Sequence, residues 1–140
     1  MDWKECQEKR FVKAVASDHA LIRALVSTSK KKIESASRLA LDETTAATKT
    51  GVVYDAVREI LEALAIMNGF KVYNHECFCA FLDEICKEKS LSMAFDRFRK
   101  LRNQISYYGK DIAPEDAKII ITDMMALRKT LLLKYFDKIS

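Results

Sequence analysis

The sequence predicts an all-α protein of four main helices plus a short N-terminal helix and a shorter connecting helix. Three observations predict it. Three glycines and one proline among 140 residues leave little material for hairpin turns, so a many-stranded sheet is disfavoured. Apolar residues recur at spacings of three and four over long stretches. A hydrophobic content of 49% suffices for one core without metal or disulfide support, and a chain of this length fits a single domain spanning residues 1–140.

Residues 2 to 14 read as the short first helix, with Trp3, Cys6, Phe11 and Val15 inward. Asp18 is placed to cap a second helix running to about Leu41, in which Ile22, Leu25, Val26, Ser29, Ile33, Ala36 and Ala40 form the inner stripe. The polar run Asp42-Glu43-Thr44-Thr45 breaks the pattern and offers a threonine cap for the third helix. That helix buries Val53, Val57, Ile60, Leu61, Leu64 and Met67, and Gly69 is positioned to end it in a left-handed conformation.

Asn74 can cap the connecting helix, which is buried through Phe78, Phe81, Leu82 and Ile85. The fifth helix places Leu91, Ala94, Phe95, Phe98, Leu101, Ile105 and Tyr108 on one stripe and closes at Gly109. Pro114 at a first helical position, with Glu115 and Asp116 in the first turn, starts the sixth. Its apolar residues lie on more than one side, from Ile119 to Phe136, so it is expected to be central or covered by another subunit.

Charge is concentrated in one place. From Asp96 to Lys110 five basic residues (Arg97, Arg99, Lys100, Arg102, Lys110) face one acid, a local balance of +4 equal to the net charge of the whole chain. Such a patch on an otherwise balanced protein suggests an anion-facing surface: phosphate, RNA or an acidic partner. Arg97, Arg99, Arg102, Asn103, Tyr107 and Tyr108 are the candidate ligand-binding residues. Tyrosines beside basic residues can stack on bases, or else serve as core or dimer contacts. Arg102 also reads as a partly buried arginine paired with a carboxylate of a neighbouring helix.

Other chemistries lack support in the sequence. His75, Cys77 and Cys79 suggest zinc, but alternate residues on a helix point to different faces, so neither a metal nor another cofactor is expected. Cys6, Cys77, Cys79 and Cys86 read as reduced thiols in a cytoplasm. Glu59 and Glu62 with Arg58 read as acid and base in a cleft or as a solvated, salt-bridged helix side, and Lys30 to Lys32 read as a solvated face. Phosphate loops, nucleophile elbows and paired catalytic carboxylates are not found. The charged start Met1-Asp2-Trp3-Lys4-Glu5 does not resemble a signal peptide, and apolar runs fall short of the ~20 residues of a membrane span.

The string from Tyr54 to Leu64, then Gly69-Phe70-Lys71-Val72-Tyr73-Asn74-His75-Glu76, then Phe81-Leu82, resembles the middle of HEPN domains, particularly small archaeal ones. Phe98-Arg99-Lys100-Leu101-Arg102-Asn103 with Tyr107-Tyr108-Gly109 resembles their signature helix. The resemblance implies an up-and-down bundle, paired into a homodimer through the signature helices. Many HEPN proteins are RNA-cleaving toxins, working with nucleotidyltransferase-type partners in toxin and antitoxin systems. Their motif is an arginine followed after four to six residues by a histidine. Arg102-Asn103 matches its start, whereas Tyr107, Tyr108 and Gly109 stand where the histidine belongs. Proton transfer near neutral pH is what imidazole supplies, so the resemblance implies a non-catalytic binder of nucleic acid, nucleotide or a protein partner. A divergent ribonuclease using Arg102, Asn103 and Tyr107, and a purely structural homodimeric scaffold, are the alternatives.

Overall fold

The computed structural model describes residues 1–136, which form α1 (Trp3–Glu8), β1 (Val12–Ala14), α2 (His19–Ser37), α3 (Ala46–Met67), β2 (Phe70–Val72), α4 (Glu76–Ala80), a π-helical turn (Phe81–Ile85), α5 (Lys89–Tyr108) and α6 (Pro114–Tyr135). The class is all-α, as the glycine-poor, periodic sequence predicts. No helix among the described residues is long and apolar enough to cross a membrane.

The central helix is α3. From Val53 to Ile66 it is buried almost all round, and α2, α5 and α6 pack against it. Helix α2 runs antiparallel to it, joined by Ser29 Oγ donating to the Ala56 carbonyl at 2.7 Å and by Lys49 Nζ donating to the Leu39 carbonyl at 3.0 Å. The sixth helix is one-sided, not central: Ala117, Ile121, Met124, Leu127 and Leu131 face the core while Ile119, Met125 and Leu133 are exposed. Its apolar excess over the core stripe lies on the outer surface.

Boundaries follow local chemistry. Asp18 caps α2 as expected, accepting the Leu21 amide at 3.0 Å; at α4 the cap position falls to His75, whose side chain makes no cap bond, and Asn74 one residue earlier accepts the Glu76 amide at 2.9 Å. Gly69 and Gly109 take φ of +87° and +63°, the left-handed region that end-of-helix turns need. Before α3 it is Asp42 that works: it accepts the Thr44 and Thr45 amides at 2.8 and 2.9 Å, while the Thr45 side chain caps nothing and bonds back to Ala40.

Three further expectations are corrected. The first helix stops at Glu8, because Arg10 turns to φ +60° and the chain extends into β1, which pairs antiparallel with β2 in the register Val12↔Val72, Lys13↔Lys71, Ala14↔Phe70. The connecting helix widens into a π turn, with the Cys86 amide reaching Phe81 O at 3.0 Å, which rotates Ile85 outward although Phe78, Phe81 and Leu82 are buried. Cys6 and Cys77 form a disulfide, 71 positions apart in sequence, so only Cys79 and Cys86 are free thiols. The two partners meet because the β1–β2 pairing lays α1 against α4.

Candidate functional site

Where β2 leaves the sheet, Tyr73, Asn74, His75 and Glu76 cross over α5 and close a polar cleft of about 410 Å³ with Arg99, Arg102, Asn103 and Tyr107. Each wall has a reason to stand there. The β1–β2 pairing fixes Val72, the disulfide holds Cys77, and the Met1 amino group lies 3.8 Å from Glu76. The opposite wall is a helix face, since residues 99, 102, 103 and 107 follow helical spacing along α5.

Beneath the cleft lies Tyr54 of α3, fully buried and stacked on Phe95 with ring centroids 5.5 Å apart. The Arg102 guanidinium sits 5.6 Å from its ring centroid, in cation–π range. Its hydroxyl is 3.0 Å from His75 Nδ1. Burial raises the Tyr54 hydroxyl well above the usual tyrosine range, against the opposing field of Arg102 and Arg58. Burial lowers the His75 imidazole to about 4, and the nearby Arg58 and Arg102 charges push it the same way, so the ring is neutral at pH 7.

The basic patch is divided by its neutralising partners. Arg99 donates to Asp96 through Nε at 3.2 Å and Nη2 at 2.7 Å, and its Nη2 stands 3.7 Å from Glu76. Burial alone would raise the Asp96 carboxyl, but hydrogen bonds from Arg99 and Lys100 hold it below the ordinary range. Arg102 approaches Asp55 no closer than 3.7 Å. That contact is longer than the 2.7–2.9 Å of a charge-assisted hydrogen bond, which leaves its donors available to a ligand.

Of the six candidates, Arg99, Arg102, Asn103 and Tyr107 come together in the cleft; Arg97 and Tyr108 do not. Arg97 turns toward α6, 3.4 Å from Asp123, and Tyr108 is 83% exposed, so it is not the core residue its stripe position suggested. Tyr107, 72% exposed, presents its ring at the mouth. Glu62 pairs with Arg58 at 2.8 Å and with Lys71, as a salt-bridged side predicts. Glu59 is instead buried against α2, bonded to Lys32 and Thr28.

Sequence reading missed His75, Asn74, Glu76 and the supporting Tyr54. The only signal available was a histidine beside an Asn cap, since no local spacing links these residues to α5. No group of three or more potential metal ligands exists among the described residues. No family model matches the chain, and neither does any curated protein or solved structure.

Proposed function

We propose that the protein is a non-catalytic, HEPN-like helical bundle that binds nucleic acid or a nucleotide in the cleft between α5 and the β2–α4 crossing. One observation carries this reading: Arg99, Arg102, Asn103 and Tyr107 share one wall, with the loosely held Arg102 guanidinium beside an exposed ring. Phosphate oxygens take the guanidinium groups and a base stacks on Tyr107. The proposal includes a homodimer through the α5 helices, a nucleotidyltransferase-type partner in a toxin and antitoxin system, and a cytoplasmic location. A disulfide in that compartment fits the intracellular proteins of hyperthermophilic archaea.

The test is fluorescence anisotropy with labelled single-stranded RNA and a labelled nucleotide over a salt series. Each phosphate contact contributes a slope of roughly −0.7 in log K against log salt for single strands, so Arg102→Ala flattens the slope by about that amount. Binding that is absent, or indifferent to salt and to Arg102, returns the site to the structural scaffold, with Asp96, Asp55 and Asp123 pairing as its whole role.

His75 favours a second reading, the divergent ribonuclease. It places an imidazole on the wall facing Arg102, the group type that α5 lacks, although a ring held at about 4 accepts protons only weakly near pH 7. Cleavage of mixed RNAs that disappears in both His75→Gln and Arg102→Ala selects it; intact RNA selects the binder.

A further inference from the structure

A second concave site, sharing no residue with the cleft, lies where α6 meets α2. It encloses about 380 Å³ and is walled by Ile33 of α2 and by Met125, Ala126 and Leu132 of α6, with Arg128 and Lys129 as its cations. Such a volume falls near the small end of the range of about 300–1,000 Å³ that small-molecule pockets occupy.

Arg128 distinguishes this groove from an ordinary apolar seam. Its Nε donates to Ser29 Oγ at 2.8 Å, and that buried hydroxyl donates onward to the Ala56 carbonyl at 2.7 Å. The guanidinium is therefore fixed in orientation by the α2–α3 contact. Among the described residues no carboxylate lies within 4 Å of it, although Arg97, Arg99 and Arg102 each have one. Burial without a compensating charge pulls its pKa below the usual arginine value. A half-buried guanidinium normally has an acidic partner, because planar two-pronged donation to a carboxylate is what repays its desolvation.

From this arrangement we propose that the α2–α6 groove binds a small amphiphilic carboxylate, its head on the free Nη groups of Arg128 and its hydrocarbon tail on Ile33, Met125 and Leu132. One oriented guanidinium with apolar walls suits a monoanion; a heavily hydrated dianion gains nothing from such walls. The small volume suits a short alkyl or aryl tail. Lys129 adds charge at the rim.

Octanoate is the probe, with 1-octanol as the uncharged control of equal chain length, titrated by calorimetry into the full chain. The expected result is saturable binding of one equivalent of octanoate, about tenfold or more tighter than octanol, as one charge-assisted pair provides. Arg128→Gln should erase the difference between the two ligands. Should that variant unfold, Ala126→Trp, at an exposed position on the wall, should fill the groove and weaken both ligands while the thermal melt stays normal. Equal affinities for the two ligands, octanoate binding unchanged in Arg128→Gln or Ala126→Trp, or no saturable binding overturn the proposal. A Met125→Glu change that converts a dimer to a monomer, with octanoate inert, assigns the groove to a second copy of the chain and overturns it equally.

Discussion

The Tyr54 hydroxyl and His75 Nδ1 lie 3.0 Å apart, which couples the central helix to the wall of the polar cleft. Whichever of the two donates, the ring is neutral at pH 7. A buried hydroxyl needs such a partner, so the contact fixes the imidazole as well as satisfying Tyr54.

His75 makes stability depend on pH in a defined direction. Its folded pKa, about 4, lies below the 6.5 of an unperturbed histidine, so between these values the unfolded chain binds the extra proton. Stability is thus full above pH 6.5, falls as the pH drops toward 4, and levels off below. The site is partly open to solvent, so the loss should be about 1–2 kcal/mol, less than the bare shift implies. Urea melts at pH 7 and pH 4.5 measure it, and His75→Gln should shrink the difference. A melt midpoint that ignores this interval in the parent protein contradicts the assignment.

Cys6–Cys77 closes a loop of 71 positions and ties α1 to the first turn of α4. Disulfides typically contribute about 2–4 kcal/mol through the unfolded chain, and a long loop such as this one lies at the upper end. Alkylation after denaturation should label two cysteines, Cys79 and Cys86, without reductant and all four with it. In the folded protein the two free thiols should react slowly, since burial and the Asp96 and Glu88 carboxylates push them up to about 11. Cys6→Ser should lower the unfolding free energy by the disulfide's contribution and speed proteolysis before Val12.

Much of the fold is legible because helix ends are local. Asp18, Gly69, Gly109 and Pro114 each act within one turn, so a single sequence suffices to place them. Val12 to Ala14 are too few to show a period, and their strand exists only through Phe70 to Val72, far away in the chain. The disulfide is illegible for the same reason. At the cleft, Arg99, Arg102, Asn103 and Tyr107 are legible because one helix face presents them. His75 is not, because the β2–α4 crossing brings it there from another element, and the carboxylates that divide the basic patch come partly from α3 and α6.

Glu59 holds a buried carboxylate against α2, with Lys32 and Thr28 as its partners. Removing the cation leaves that charge without an ionic partner, whereas removing both leaves an apolar contact. Lys32→Met should therefore cost about 2–3 kcal/mol, at the lower edge for a buried pair because Lys32 keeps some contact with water. The double change Lys32→Met with Glu59→Leu should recover most of it. Urea midpoints at constant m-value read both, and a neutral single Lys32→Met would show that Thr28 alone satisfies the carboxylate.

The proposed pairing of α5 helices makes the last prediction, and α6 provides its control. Two outer surfaces carry surplus apolar groups: Tyr107 and Tyr108 at the end of α5, and Ile119 and Leu133 along α6, each 64% exposed. A two-fold contact places a residue near its own copy, so a new carboxylate there meets another carboxylate. Tyr107→Asp should split the dimer, and Ile119→Asp should leave it intact. Both positions are on the surface, so at a dilution where the parent itself is monomeric both variants should match its stability within about 0.5 kcal/mol, which separates assembly from folding. Light scattering over a micromolar dilution series reads the outcome. A parent that is monomeric throughout removes the homodimer, whereas a dimer split only by Ile119→Asp moves the interface to α6 and leaves the cleft to act within one chain.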